Sequence, residues 1–249
     1  AVRLAFYIAT TGRPGPALID LPKNVQTDVE EMDFSNNVEV RGYKPKTEPH
    51  PIQVKKAVKL LLEAERPIVL AGGGVIISNA SPELLTLAEL LMMPVATTLM
   101  GKGCFPENHP LALGDVGMHG TQAANKLMLE ADVLLAVGTR FSDRTTGNLD
   151  EFCPNAKIIH IDVDAAEIGK NVEVDIPIVA DAKETLGLIH RLLMHQLKEK
   201  EDAPWFNRVK ELKEQCQNNA DPSDCDLKPP LLLQELRKIL PENAIVTTE

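Results

Sequence analysis

The chain of 249 residues has room for one large domain, or for one complete domain with parts of others. A hydrophobic content of 44% can fill a sizeable core, whereas 4% aromatic residues and a formal net charge of −10 disfavour a nucleic-acid-binding surface. No apolar run reaches the ~18 residues of a membrane span and no signal peptide is recognisable, so we expect a cytoplasmic protein that binds neither nucleic acid nor membrane.

The first fifty residues indicate the end of one domain followed by a linker. Residues 1–12 predict a helix that stops at Gly12, and residues 17–21 predict a short apolar strand closed by Pro22. Residues 23–50 show little periodicity and carry closely spaced prolines near their end, which is typical of a linker.

Helices and strands alternate through the middle of the chain. The predicted helices are 52–65, 81–92, 121–130 and 183–200, and the predicted strands are 67–71, 94–97, 133–137, 157–161 and 176–179. Ser81 is predicted to cap its helix, with Pro82 at the first helical position. This alternation predicts an α/β fold, with a doubly wound parallel sheet covered on both faces.

The last fifty residues indicate a second linker and the start of a further domain. Residues 201–230 are polar and contain prolines, whereas 231–240 predict a helix and 244–248 a strand. We therefore expect flanking pieces of two other α/β domains around the central one. The predicted organisation is 1–24, end of a first domain; 25–50, linker; 51–200, central domain; 201–230, linker; 231–249, start of a third domain.

Three loops that follow apolar runs carry groups suited to a dinucleotide. They are residues 114–121, 137–144 and 160–164. Glycine lets the main chain approach a ligand, arginine offers a planar fork for phosphate, and an acid at a strand end accepts bonds from ribose hydroxyls. Ligands of open parallel sheets bind at the carboxyl ends of strands, so the three loops together predict a nucleotide-binding domain.

Each of these signals also has a plainer interpretation. The glycines at 72–74 match neither G-x-G-x-x-G nor a Walker A loop, and such a triplet is more often a tight turn. Arg140 and Arg144 can be solvated, Asp162 can cap a helix, and His119 can be structural. Neither a nucleophile–base arrangement nor metal-ligand spacing is visible, so we assign no catalytic and no metal-binding residue. The four cysteines are expected to be unpaired thiols.

Several segments resemble a known enzyme family. Residues 13–26 (RPGPALIDLPKNVQ) resemble the close of the first domain in thiamine-diphosphate-dependent decarboxylases and carboligases. Residues 117–121 (GMHGT), 138–147 (GTRFSDRTTG) and 159–171 (IHIDVDAAEIGKN) resemble the central domain of acetolactate synthase (acetohydroxyacid synthase) large subunits. Residues 244–249 (AIVTTE) resemble the start of the diphosphate-binding domain of that enzyme, and the first segment would close its pyrimidine-binding domain.

The resemblance implies a Rossmann-like central domain that binds FAD in an extended pose, with a structural or regulatory role for the flavin. The family often has an acid where this chain has Ser142. The positions that the resemblance assigns to cofactor binding are Arg13, Gly72, Gly73, Gly74, Thr98, Leu99, Met100, Gly117, Met118, His119, Gly138, Arg140, Arg144, Asp162, Val163, Glu167, Asp181 and Ala182.

The resemblance also implies a larger parent enzyme. That enzyme condenses two 2-oxo acids with loss of carbon dioxide, in the biosynthesis of isoleucine and valine, and uses thiamine diphosphate and magnesium. Its activating glutamate would precede Ala1 and its metal-binding motif would follow Glu249, so we expect a central fragment that is inactive by itself. A homodimer of catalytic subunits and a small regulatory subunit are the implied partners.

Two other functions stay open from the sequence. The chain could be the central domain of another thiamine-diphosphate carboligase or decarboxylase, holding ADP or no ligand. It could also be a nucleotide-binding module without catalytic activity. Bound flavin in the purified protein would separate these alternatives from the first interpretation.

Overall fold

A computed structural model describes residues 1–31, 38–196, 204–217, 229–241 and 243–247. Its sheet has six parallel strands in the order β3-β2-β1-β4-β5-β6. The strands are β1 Pro67–Ala71, β2 Val95–Thr97, β3 Ala112–Asp115, β4 Val133–Val137, β5 Lys157–Asp162 and β6 Ile176–Val179. The strand order reverses between β1 and β4, which is the doubly wound arrangement. The predicted fold class is confirmed.

Ten α-helices lie within the described residues. They are α1 Val2–Thr10, α2 Lys23–Thr27, α3 Pro51–Glu63, α4 Gly73–Ile77, α5 Ser81–Leu91, α6 Gln122–Glu130, α7 Asp143–Thr146, α8 Ala182–Met194, α9 Pro204–Gln217 and α10 Pro229–Ile239. None of the helices in these ranges is long and apolar enough to cross a membrane.

The sheet is buried on both faces, which explains why β1 and β4 are apolar at every position. Side chains of α3, α5 and α8 pack on one face, where Val69 and Leu135 belong to the core. Side chains of α6 and α9 pack on the other face, where Leu70 and Leu134 belong to the core. Neighbouring residues along a strand point to opposite faces, so each buried strand supplies both cores.

Two predicted strands do not form as expected. Residues 17–21 are extended but pair with no strand among the described residues, and Leu18 is 93% exposed. A strand requires hydrogen bonds to a neighbouring strand, which an apolar run alone does not supply. Residues 244–247 likewise form no strand, and Thr248 lies outside the described residues. Strand β3 lies between residues 97 and 121, where the sequence predicts no helix or strand.

The predicted second linker is wrong over the residues of α9. This helix of 14 residues lies within 201–230, and its Trp205, Val209 and Leu212 are buried in the core. The Trp205 indole Nε1 donates a hydrogen bond of 2.9 Å to the Pro67 carbonyl at the start of β1. The rest of the predicted linker lies mostly outside the described residues. In the predicted first linker, residues 23–27 form the short helix α2.

Several helix ends also differ from the predictions. Helix α5 begins at Ser81, but the predicted capping role of Ser81 is wrong, since Ala80 is the N-cap and no side chain caps this helix. Helix α8 ends at Met194, and the predicted continuation through 197–200 lies outside the described residues. The predicted helix near the carboxyl terminus is confirmed as α10, whose Leu231, Leu232 and Leu233 are about half exposed.

The chain divides into two compact units, Ala1–Lys213 and Glu214–Glu249. All six strands belong to the first unit, and α10 belongs to the second. Cys104, Cys153 and Cys216 are free thiols, whereas Cys225 lies outside the described residues.

Candidate ligand site at the strand ends

The loops after β1 and β4 lie side by side at the carboxyl edge of the sheet. The Gly72 amide donates to the Val137 carbonyl over 2.8 Å, and the Gly74 amide donates to the Gly138 carbonyl over 3.0 Å. The Gly138 amide in turn donates to the Ile161 carbonyl at the end of β5, again over 2.8 Å. These bonds place the loops at the point where the strand order reverses, which is where open α/β sheets form a crevice.

The glycines of these two loops are required by the contact between the loops themselves. A Cβ atom on Gly72 would lie 2.2 Å from the Gly138 carbonyl oxygen, and one on Gly74 would lie 2.6 Å from the Gly138 Cα. Gly138 has a φ of +57°, in the left-handed region that favours glycine. The triplet is not a tight turn, because Gly72 is the N-cap of α4 and Gly73 and Gly74 are its first residues. Packing on Gly138 accounts for Gly72 and Gly74, while Gly73 lies against Met100.

A second pair of loops brings Gly117, Met118 and Arg144 together. The Met118 amide donates a 3.0 Å hydrogen bond to the Arg144 carbonyl, and the Arg144 guanidinium contacts the Met118 sulfur at 3.4 Å. Gly117 has a φ of +102°, and a Cβ there would lie 2.2 Å from the Arg144 carbonyl oxygen. His119 follows directly and is exposed. The Asn125 side chain fixes this loop, since it both accepts from the Gly117 amide and donates to the Gly117 carbonyl.

The rim of the strand ends is apolar and exposed. Leu99, Met100 and Met118 are 75%, 74% and 64% exposed. Thr98 is buried, and its hydroxyl accepts a hydrogen bond from the Gly101 amide. Large apolar side chains clustered on a surface typically mark a contact site.

At the end of β5, two predicted ligand contacts pair with each other. The Arg13 guanidinium lies 2.8 Å from a Glu167 carboxylate oxygen and 3.3 Å from Asp164. Burial alone would raise the pKa of Glu167, but hydrogen bonds from Arg13 and Lys170 lower it below its ordinary value. The second Glu167 oxygen, Oε2, is buried without a hydrogen-bond partner among the described residues.

Asp162 and Val163 lie at the same strand end and are partly buried. The Asp162 carboxylate accepts a 2.8 Å hydrogen bond from the Asp164 amide. Burial raises the pKa of Asp162 above its ordinary value, and the charge of Arg13 counteracts this shift only in part. The carboxylate therefore stands at the position from which an acid can bind ribose hydroxyls.

Asp181 and Ala182 have a structural role one strand further out. The Asp181 carboxylate accepts hydrogen bonds from the amides of Lys183 and Glu184 and so caps α8, while Ala182 is buried. For these two predicted site residues, the start of α8 accounts for the residue type without a ligand.

Arg140 differs from its neighbours in that its charge is unpaired among the described residues. It is exposed beside Gly138, and among the described residues its guanidinium has no hydrogen-bond or ion-pair partner. Two residues near Arg140 were not among the predicted site residues. They are His160 and Asn171, whose side chains form hydrogen bonds with the carbonyls of this loop. Both residues fall inside the 159–171 segment, but their partners lie about 20 to 30 residues away.

A cavity of about 320 Å³ borders the site next to Gly117 and Met118. Its floor includes Met128 and Phe152, and Asp143 lies among its polar lining residues. The cavity does not reach the glycines after β1 and β4. Within the described ranges, no group of three or more His, Cys, Asp or Glu side chains could hold a metal ion.

Comparison with known proteins identifies the family of the chain. The sequence model of the family described as "Thiamine pyrophosphate enzyme, central domain" matches residues 54–189. A protein of Methanocaldococcus jannaschii named "Probable acetolactate synthase large subunit" is 56% identical over 257 aligned residues, covering 99% of this chain and 43% of that protein. The "Acetolactate synthase large subunit" of Corynebacterium glutamicum is 43% identical over 247 residues, covering 98% of this chain and 40% of that protein.

The chain belongs to the thiamine pyrophosphate enzyme central-domain family, because the family model covers more than half of its residues. A further relative, the "Acetolactate synthase large subunit" of Buchnera aphidicola subsp. Schizaphis graminum, is 42% identical over 252 residues. The chain covers 98% of its own length in that match but only 43% of the relative. It therefore spans less than half the length of these curated relatives.

Proposed function

We propose that this member of the thiamine pyrophosphate enzyme central-domain family is the FAD-binding central part of an acetolactate synthase large subunit. The parent enzyme would condense two 2-oxo acids with release of carbon dioxide, in the biosynthesis of branched-chain amino acids. The observation that carries the proposal is the uncommitted Arg140 beside Gly138, at the point where the strand order reverses. The names of the relatives give the proposal its reaction.

The residues at the strand ends fit a flavin dinucleotide by their chemistry. Arg140 offers a charge-assisted, planar donor for a diphosphate. Asp162 offers an acceptor for ribose hydroxyls, and the exposed Leu99, Met100 and Met118 offer apolar surface for a flavin ring. The remaining positions of the proposed contact set are Arg13, Gly72, Gly73, Gly74, Thr98, Gly117, His119, Gly138, Arg144, Val163, Glu167, Asp181 and Ala182.

The flavin would have a structural role at the strand ends and not a redox role, since the proposed condensation involves no net oxidation. Arg13 would have to exchange or share its present partners, Asp164 and Glu167, to reach such a ligand. Asp181 would contact it while continuing to cap α8.

The catalytic cofactor would be held elsewhere in the parent enzyme. We propose that thiamine diphosphate and magnesium bind to parts of the parent outside this chain, and that residues 1–24 and 231–249 belong to domains on either side. The word "large" in the relatives' names supports a small regulatory partner subunit. A homodimer of catalytic subunits is part of the same proposal.

The decisive experiment measures FAD binding by the purified chain. We expect flavin absorbance to remain with the protein after desalting, or added FAD to bind saturably with its fluorescence quenched. Binding of ADP with no preference for FAD would support the alternative of a nucleotide-binding module or a related carboligase domain. Binding of neither compound would refute the proposed cofactor site.

A second assay tests whether this chain by itself catalyses the proposed reaction of the parent enzyme. The chain is incubated with pyruvate, thiamine diphosphate, magnesium and FAD, and acetolactate is measured. We expect no product above a blank without protein. Turnover would mean that this chain itself carries the catalytic groups.

A further inference from the structure

The loop of residues 138–141 has all four of its carbonyl groups bound by donors from outside the loop. The Gly74 amide donates to the Gly138 carbonyl over 3.0 Å, and His160 Nε2 lies 2.8 Å from the Thr139 carbonyl oxygen. The Asn171 side-chain amide donates to the carbonyls of both Arg140 and Phe141, over 3.1 and 3.0 Å. The carbonyl oxygens of the 138–141 loop are therefore all turned toward protein.

The groups of this loop that stay without a hydrogen-bond partner are donors. Among the described residues, the amides of Thr139 and Arg140 have no acceptor, and neither has the Arg140 guanidinium. Carbonyl oxygens facing the crevice would repel an anion, whereas amides without an acceptor and a guanidinium attract one. The side chains that bind the carbonyls therefore decide the electrostatic character of the loop.

The two side chains act from different environments. His160 is fully buried on β5, and its ring packs edge-to-face on Phe141 at a centroid distance of 4.9 Å. Because the Thr139 carbonyl can only accept, Nε2 must carry the imidazole proton. Phe141 has a left-handed φ of +50° and also packs against Phe152. Asn171, by contrast, is exposed, so its side chain can be changed without opening the core.

We propose that Asn171 and His160 are positioning residues that hold the 138–141 loop with its carbonyls turned away from the diphosphate of the bound dinucleotide. The inference rests on the proposed function and deepens it, because it assigns the orientation of the anion-binding loop to two residues outside the loop. Neither side chain contacts the ligand. Their effect is to keep the amides and Arg140 facing the crevice before the ligand arrives.

The first test replaces Asn171 with leucine, which has a similar size but cannot donate. The matched control is Asn155→Leu, because Asn155 is also exposed and makes no side-chain hydrogen bond to the described residues. Dissociation constants are measured for FAD and ADP, which contain the diphosphate, and for riboflavin, which does not. We expect Asn171→Leu to weaken FAD and ADP about tenfold and to leave riboflavin unchanged, as two carbonyl bonds are lost. We expect no change from Asn155→Leu.

Hydrogen exchange supplies a readout that does not need a ligand. Exchange at the amides of Gly74 and Gly138, whose hydrogen bonds join the loop to its surroundings, should accelerate in Asn171→Leu and stay at the wild-type rate in Asn155→Leu. His160→Gln keeps a donor near the Nε2 position, whereas His160→Leu removes it. We expect the glutamine variant to retain FAD affinity better than the leucine variant.

Different failures have different meanings. If Asn171→Leu binds FAD as tightly as the wild-type chain, the positioning role is overturned while the proposed function stands. The same conclusion follows if Asn171→Leu loses riboflavin binding and ADP binding to the same extent. A wild-type chain that binds neither FAD nor ADP overturns the proposed function, and the positioning role fails with it.

Discussion

Replacing Gly72 with alanine should separate the two loops that form the crevice. The new Cβ would lie 2.2 Å from the Gly138 carbonyl oxygen and 2.8 Å from the carbonyl carbon, so the loops would have to move apart by roughly 1 Å. Gly138 cannot yield easily, because its amide is bonded to the Ile161 carbonyl in the sheet. Overpacking costs about 1–3 kcal/mol, and loss of the Gly74–Gly138 hydrogen bond adds about 1 kcal/mol. We expect Gly72→Ala to lower the free energy of unfolding by about 2–4 kcal/mol.

The same substitution at Gly187 should have the opposite sign. Gly187 lies inside α8, and the atom nearest to an added Cβ is Arg191 Nη1 at 3.9 Å. Alanine in a helix interior is favoured over glycine by about 0.5–1 kcal/mol, so Gly187→Ala should stabilise the protein. Urea unfolding can be followed by the fluorescence of the single tryptophan, Trp205, which is buried in the core. A Gly72→Ala midpoint equal to or above that of Gly187→Ala would refute the argument from close packing.

Two further predictions concern charge. Arg140→Ala should weaken FAD binding about tenfold to a hundredfold, because charge-assisted hydrogen bonds are lost. The control Arg191→Ala, on α8, should leave FAD binding unchanged. Equal effects of the two variants in a FAD titration would contradict the placement of the diphosphate beside Arg140. Burial lowers the pKa of His160 below its ordinary 6.5, and the hydrogen bond to Thr139 and the charge of Glu167 counteract this only in part. The unfolded chain therefore binds the proton more readily, so the urea midpoint should fall as pH drops through about 6.5. His160→Gln should flatten this dependence, and an unchanged slope would assign it to other groups. Loss of the Glu167 ion pair should appear separately, below the ordinary pKa of 4.5 for that carboxyl.

The strands that could be predicted are those whose own residues carry the signal. Every residue of β1 and β4 is buried, so both are continuous apolar runs bounded by turn residues. Strand β3 carries a weaker signal, because it has four residues, a glycine at position 114 with φ of +80°, and a register shift against β2. Residues 17–21 show the reverse case, since an apolar run formed no strand where no strand pairs with it in the described part of the chain.

The candidate site could be predicted as a set of residue types but not as a set of pairs. Glycine, arginine and aspartate at strand ends are visible in the sequence, whereas the Arg13–Glu167 ion pair joins residues 154 positions apart. The packing of Gly72 on Gly138 is equally invisible to local patterns. Asp181 is different, because an aspartate three residues before Glu184 at the start of a helix is a capping signal that the sequence did contain.

Helix α9 provides a test of how far the central domain extends. The family model ends at residue 189, and the polar composition after residue 200 predicts a linker, yet Trp205, Val209 and Leu212 lie four and three residues apart on one buried face. Val209 is fully buried, so Val209→Ala should lower the free energy of unfolding by about 1.5–3 kcal/mol. Asn207 is exposed on the same helix, and Asn207→Ala should leave stability unchanged or slightly raised. Both variants are compared with wild type by urea unfolding, monitored by circular dichroism because Trp205 itself lies on α9. If Val209→Ala shifted the main transition no more than Asn207→Ala, α9 would add nothing to the stability of the domain. A shift of the whole transition would show that the cooperative unit continues beyond the family match, because the second face of the sheet needs α9 to bury it.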